Sequence, residues 1–529
     1  MTDSSLFRRW WLSRGGTVLA AVVVWCVSCS RVPEPPPPIL AEPKEIGPAV
    51  IADIHSFCGA SCHTYPPPDS FPRRVWRSEV ERGFRFFEQS GLPLTPPPIE
   101  SVVRYYEDRA PDELPPIEQV AATPSPVRFE RVSYPPPPGG EKVAISNVKL
   151  VRLPPPGRPA RPDGEPLSIL ACDMATGRVM LLRPTDPAPT WTVLARVTNP
   201  AHAEVIDLDQ DGILDILVAD LGSFPPTDRR CGKVVWLRGK PDGTYTPITL
   251  LENVGRVADV QAADFRGTGQ LDLVVGVFGL IAAGEILYLE NRTTDWSRPE
   301  FVPRTVDSRH GAIHVPVADL NGDGKPDFVA LLAQEHETVV AFLNEGGGKF
   351  TPQTLYKAPH PGWGSSGIQL TDMNGDGLLD VLYTNGDILD EPYLFKPYHR
   401  VSWLENKGGM KFEHHTITPM YGVHNAVAAN IFGGGKGSDA VAVSFLPADK
   451  FPDRVARKAD GVVLLEQVSA GKFVRHPLAV GECDAVVCAA GDLYRTGRPD
   501  VVVGNFSSTT TGNPVTIWKN LGRVADAKK

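Results

Sequence analysis

The chain has 529 residues, 53 of them proline and 49 glycine, and a formal net charge of −9. That length exceeds one ordinary small domain unless the domain is a large closed repeat. The acidic balance, with no basic stripe, excludes a general nucleic-acid binder.

Residues 1–28 read as an export signal. Arg8, Arg9 and Arg14 precede an apolar run from Thr17 to Val27, the length of a signal core and short for a membrane span. Arg8-Arg9-Trp-Trp-Leu12 has a twin-arginine look. Val27-Ser28-Cys29 resembles the end of a lipoprotein signal, with Cys29 as the residue to be acylated, although Cys26 stands where leucine is usual. An uncleaved anchor and a plain cleaved signal are the alternatives. The expected location is the periplasm or cell envelope, with the membrane reached only through this signal or a lipid anchor.

Residues 29–50 form a proline-rich linker, stiff and extended. Residues 51–93 carry His55-Ser-Phe-Cys58-Gly-Ala-Ser-Cys62-His63, then Trp76, Val80, Phe84 and Phe87 at helical spacing, which predicts one helix over about 72–90. A second proline-rich linker is expected over 94–126.

From 127 to 522 the chain repeats, leaving a short tail over 523–529. Asp207-Leu-Asp-Gln-Asp-Gly-Ile-Leu-Asp215, Asp319-Leu-Asn-Gly-Asp-Gly-Lys-Pro-Asp327 and Asp372-Met-Asn-Gly-Asp-Gly-Leu-Leu-Asp380 share one form. Each places oxygen side chains at positions 1, 3, 5 and 9 and glycine at 6, where the backbone must turn. Alternate residues of a tight loop point inward together, as a hard cation such as Ca²⁺ requires. The same residues also suit metal-free turns. Weaker loops begin at Asp264, Asn430 and Asp492, so the period is about 53–62 residues.

Each unit shows an inner strand, the loop, a buried strand, an aromatic strand often ending in Asn, and a fourth strand after a Gly-rich turn. Residues 143–198 hold a further unit without the acids. The last unit lacks a fourth strand, and Val127-Arg-Phe-Glu-Arg-Val132 has the composition to supply it. The expectation is an all-β fold, a seven-bladed β-propeller of four-stranded blades preceded by a small helical and proline-rich segment.

The loops and their flanking strands resemble the FG-GAP/VCBS repeat family, whose members form Ca²⁺-binding propellers. The resemblance implies calcium ligands at Asp207, Asp209, Asp211 and Asp215; at Asp319, Asn321, Asp323 and Asp327; and at Asp372, Asn374, Asp376 and Asp380. Arg266 and Thr268 replace acids in the loop that begins at Asp264, which is expected to fold without an ion, as are the loops at 430–439 and 492–500. The Cys58-Gly-Ala-Ser-Cys62-His63 segment resembles a c-type haem attachment site with one extra residue between the cysteines. It implies haem c held by Cys58, Cys62 and His63. A Cys58–Cys62 disulfide and a zinc site from His55, Cys58, Cys62 and His63 stay open. Haem attachment acts on an unfolded chain and the twin-arginine route exports a folded one, so those two readings conflict.

Polar residues recur before the loops: His202, Asp259 and His314 five residues ahead, His424 six and Asp484 eight. They are candidates for a ring at the channel mouth, able to hold a metal or an anionic group, or simply to cap strand ends. No Ser/His/Asp order, phosphate-cradling glycine loop or HExxH appears, so binding is expected rather than catalysis. The expected function is an exported calcium-binding scaffold, monomeric, taking a protein or carbohydrate ligand at its loops. A haem redox protein is the alternative, and a polysaccharide lyase or hydrolase a weaker one by fold analogy.

Overall fold

Seven antiparallel sheets repeat one arrangement of four strands; six run in sequence order, and the seventh takes its outer strand from the N-terminal side of the ring. The computed structural model describes residues 46–60, 64–139, 142–155, 164–389, 392–433, 437–506 and 512–524. The export signal, Cys29, Cys62 and His63 lie outside those residues. The innermost strands are Ile145–Val151, Pro200–Ile206, Val257–Ala263, Ala312–His314 with Val317–Ala318, Ser365–Thr371, Val423–Ala429 and Ala485–Gly491. In the fourth blade the inner strand is broken around Pro316, which has no N–H to give the ladder.

Every second strand is an almost unbroken apolar run, and each residue of Asp215–Asp220, Asp327–Leu332 and Asp380–Asn385 is buried. Such strands have both faces covered, because each sheet packs between two others. The core is accordingly divided into clusters, one at each blade interface. One of them joins Ile145 and Val148 of the first blade to Val502 and Ile517 of the last, so the ring is closed.

Closure uses the predicted N-terminal strand. Val127–Ser133 pairs antiparallel with Val515–Arg523 and completes the seventh blade from its outer side. The start and end of the propeller are thus hydrogen-bonded in one sheet, which closes the ring on itself.

A buried aspartate opens most second strands. One oxygen of Asp215, Asp327, Asp380, Asp439 and Asp500 accepts the N–H of the residue seven earlier, at 2.9–3.0 Å. The other oxygen accepts an N–H near the end of the third strand, from Gly239, Asn344, Asn406, Gln467 or Asn520, at 2.7–2.9 Å. The side chains of Asn344, Asn406 and Asn520 return the bond to the carbonyl just before the aspartate, at 3.0–3.1 Å. These pairs fasten loop, second strand and third strand together.

Among the described residues three α-helices precede the ring: α1 (Pro48–Ala60), α2 (Arg73–Ser90) and α3 (Ile99–Glu107). α2 matches the predicted span. It begins after Pro72 and ends at Gly91, whose φ of 66° stops the helix in the left-handed conformation. α3 lies within the proline-rich linker expected over 94–126. Its flanking prolines mask a helical period, and Val102, Val103, Tyr105 and Tyr106 are buried. Trp76 stacks on Tyr106 at 3.9 Å, and Phe84 and Phe87 pack on Phe57. The helices and propeller belong to one compact unit, Gly47–Lys529. The Tyr421 hydroxyl accepts the Ile117 N–H at 2.6 Å, tying the segment after α3 to the ring. Among the described residues no helix is long and apolar enough to cross a membrane.

Asp500→Ala tests the fastening in a loop that lacks the full acid set. It strands the Leu493 and Asn520 N–H groups, at a cost of about 2–4 kcal/mol. Urea unfolding should show that loss, with a smaller one for Asp500→Asn, which keeps one acceptor. Unchanged stability in Asp500→Ala would contradict the role.

Candidate functional site

The acidic loops share a metal-independent frame. The first aspartate accepts N–H bonds from positions 5 and 6 in the loops of Asp207, Asp319 and Asp372. It does the same in the degenerate loops of Asp264 and Asp492. Positions 1 and 9 therefore have structural work whether or not an ion is present. Positions 3 and 5 separate the loops.

In the Asp207 loop, oxygens of Asp207, Asp209 and Asp215 lie within 4.8 Å of one another. The Asp209 side chain is 1 % exposed, though its loop lies at the surface. Neither of its oxygens has a hydrogen-bond donor. Arg238 Nη2 comes to 2.5 Å from Oδ2 but without hydrogen-bond alignment. Burial, and then the charge of Asp211, push the Asp209 carboxyl up. Asp211 turns outward, 3.9 Å from Arg238.

In the Asp264 loop, Arg266 occupies position 3, and its Nε donates to both oxygens of Asp272 at 3.0–3.1 Å. A side-chain cation sits against the terminal carboxylate there. In the other two full loops, Asn321 and Asn374 accept the N–H of Asp323 and Asp376. Lys325 Nζ donates to Asp323, and Asn374 donates to Asp376. Among the described residues, only the Asp207 loop brings three carboxylates together.

The second candidate is a cavity of about 1570 Å³ between the helices and the mouth of the ring. Phe57, Trp76, Phe84 and Phe87 line it from the helices, and His202, Asp259, His314 and His424 from the propeller. Each inner strand carries a register shift at one equivalent place, and the residue after it is Asn147, His202, Asp259, His314, Gly367, Asn425 or Val487. The bulge turns these residues toward the axis. From His202 on, each lies five residues before the first position of its loop. That constant offset places Asn425 and Val487 at the ring positions where the sequence pointed to His424 and Asp484. His424 sits one residue earlier and still lines the cavity. Asp484 lies ahead of its strand, held by Arg454 through two bonds of 2.8 Å, and does not line the cavity.

Part of the ring is structural. Asn147, Asp259 and Asn425 accept the N–H groups of Ala203, Val315 and Cys488 in the next blade. His202 and His314, with Lys149, Glu204 and Gln261, give the cavity a polar floor. His202 Nδ1 is 3.4 Å from Asp259, and Gln261 donates to Asp259 at 3.2 Å. Burial alone would raise the Glu204 carboxyl, but His202 and Lys149 beside it hold it at about 2. Burial lowers the His314 imidazole to about 4. The Asp259 charge opposes that, while His202 and His424 add to it.

Cys58 lines the same cavity. Burial raises its thiol to about 11, partly offset by a bond with Tyr106, so it is no thiolate nucleophile at neutral pH. His55 Nε2 is 2.7 Å from the Tyr105 hydroxyl, and its ring stacks on Tyr65.

A histidine lowered on folding stabilises the protein fully above its unfolded value near 6.5, and that share fades as pH falls toward 4. Because His314 still touches the cavity, its share is about 1 kcal/mol at pH 5. His314→Asn should flatten the fall in melting temperature between pH 7 and 5, and parallel profiles would contradict the assignment.

Residues 207–275 and 319–383 match the FG-GAP-like repeat. Among curated proteins none matches the chain. Among solved structures, the α-L-arabinanase of Penicillium chrysogenum complexed with arabinobiose is similar at 12% identity and a TM-score of 0.41, over 73% of this chain and 96% of that one. The protein carries FG-GAP-like repeats within a seven-bladed propeller.

Proposed function

We propose that this protein is an exported, calcium-stabilised propeller that works as a binding scaffold, with its ligand seated between the helices and the channel mouth. The FG-GAP propeller fold supports the scaffold. The observation that carries the site is the cavity itself, with an aromatic roof from α1 and α2 and a polar floor from the inner strands. Stacking faces opposite hydrogen-bonding groups suit a carbohydrate, which presents apolar ring faces and hydroxyls together. No reaction is assigned, because the floor residues bond chiefly to one another and to neighbouring blades. Export rests on the basic head and apolar run before residue 29. Glycan-array binding without bond cleavage is the expected result; depolymerisation of a bound glycan would favour the lyase or hydrolase reading.

Calcium has its best support at the Asp207 loop. Asp209 presents two covered oxygens, paired only with Arg238 at 2.5 Å, beside Asp207 and Asp215, and a hard divalent cation would complete such a set. Asp319, Asn321, Asp323 and Asp327, and Asp372, Asn374, Asp376 and Asp380, offer the same residue types with more of their oxygens already bonded. A second reading rests on Cys58, which faces the cavity from α1. Haem c attached at Cys58 and Cys62, with His63 on the iron, would supply a one-electron carrier beside the polar floor. A pyridine haemochrome spectrum of protein matured in a haem-attaching host distinguishes that reading from a haem-free scaffold.

Asp209→Asn separates the metal from the fold. In calcium at 100 times its dissociation constant, each occupied site adds about 2.7 kcal/mol, and the variant should lose that gain at one site. In chelator it should lose no more than about 1 kcal/mol, because the amide gives up only the ion pair with part-exposed Arg238. Equal losses in melting temperature under both conditions would contradict calcium there.

A further inference from the structure

Outside the loops and the channel mouth, the rim of the cavity holds a compact group of nitrogen and oxygen donors. His310 lies between the outer strand of the third blade, Phe301–Asp307, and the inner strand Ala312–His314 of the fourth. Glu335 and His336 lie in the turn between Asp327–Leu332 and Thr338–Gly346. One nitrogen of each imidazole and one Glu335 oxygen lie within 4.8 Å of one another. His310 Nε2 is 2.8 Å from Glu335 Oε2, and the two imidazole centres are 5.0 Å apart.

The backbone is shaped to bring them there. Gln334 and Glu337, on either side of Glu335-His336, have φ of 58° and 44°, in the left-handed region, where a side chain costs energy. Gly311 has φ of 85°, and a Cβ on it would meet the Ala333 carbonyl oxygen at 2.8 Å. The two segments therefore approach closely, and the Ala333 N–H bonds to the Gly311 carbonyl at 2.8 Å. Gly284 clears room for His310, since a Cβ there would lie 2.4 Å from that of His310.

One donor is left over. His336 Nε2 is buried without a hydrogen-bond partner, which is costly unless something binds it. The nearby Arg309 does not compete for Glu335, because Asp307 holds it through bonds of 2.6–3.2 Å. His310 and Glu335 both line the cavity.

We propose that His310, Glu335 and His336 form a site for one divalent transition-metal ion of the zinc class, with its remaining coordination positions open to the cavity. Two imidazoles and one carboxylate suit such an ion and not Ca²⁺, which prefers six to eight oxygens. Ligands at about 2.1 Å from one ion stand about 3.0–3.4 Å apart, close to the His310–Glu335 spacing. Three protein donors with an open position are the pattern that lets a metal also bind water or an incoming ligand. The site is independent of calcium in the acidic loops and of any glycan on the cavity floor.

The test uses the full chain, stripped of metal and then kept in excess Ca²⁺ so that the acidic loops do not take up the probe. Titration with Zn²⁺ should show one more bound equivalent in the parent than in His310→Gln/His336→Gln. A Co²⁺ titration should show a visible d–d band that the variant lacks. Equal stoichiometry in parent and variant would overturn the site and leave only a His310–Glu335 ion pair. If the variant does not fold, histidine carbethoxylation of the parent, mapped by peptide mass, decides the matter. Zn²⁺ should protect His310 and His336 at least tenfold, and unchanged modification would overturn the proposal. Calcium-dependent stability and glycan binding measured without Zn²⁺ are separate readouts, so either proposal can fail alone.

Discussion

A buried carboxylate at the head of the second strand is the constraint on which the rest of the ring depends. Five such aspartates each accept one N–H from the loop behind and one from the third strand ahead. The gain from each bond is modest, but leaving these donors unpaired in the core would cost more than the bonds contribute. The acid cannot be exchanged freely, and the loop around it inherits a fixed shape. Once that shape exists, the remaining loop positions are free to diverge. Arg266 shows one outcome, a guanidinium lying on the terminal carboxylate. Asp209 shows the other, a covered acid whose cation partner, Arg238, comes from the third strand and not from the loop.

The same economy appears at the axis. One register shift in each inner strand turns one residue per blade toward the channel, and what stands there varies from glycine to histidine. Asn147, Asp259 and Asn425 spend the position on holding the next blade. His202 and His314 face the cavity, where the helices cover them. The helical segment therefore adds an apolar wall facing the polar channel mouth. His310 and Glu335 reach the edge of that space from a separate pair of turns.

Much of this was legible in the chain. Six loops and the acid-free unit at 143–198 together count the blades, and the lone strand at Val127–Ser133 indicates closure, because both follow from local pattern. The recurring Asn at the end of the third strand was visible, but its purpose was not. Its amide bonds a carbonyl some twenty residues away, which no local period reveals. α3 was hidden because Pro96 to Pro98 and Pro115 to Pro116 dominate the composition around it, while Val102, Val103 and Tyr106 carry the helical stripe. Asp484 has the chemistry of a ring residue but stands eight residues before its loop and not five, and it belongs to an ion pair with Arg454. Glu335 and His336 stand together in a donor-rich loop, Glu335-His336-Glu337, but His310 joins them only through the fold.

The account makes the loops differ in what they hold while sharing one frame. Anomalous diffraction from crystals grown in Ca²⁺ tests that most directly. Density centred among Asp207, Asp209 and Asp215, with none in the Arg266 loop, is the predicted result. An empty Asp207 loop, or an ion beside Arg266, would contradict it.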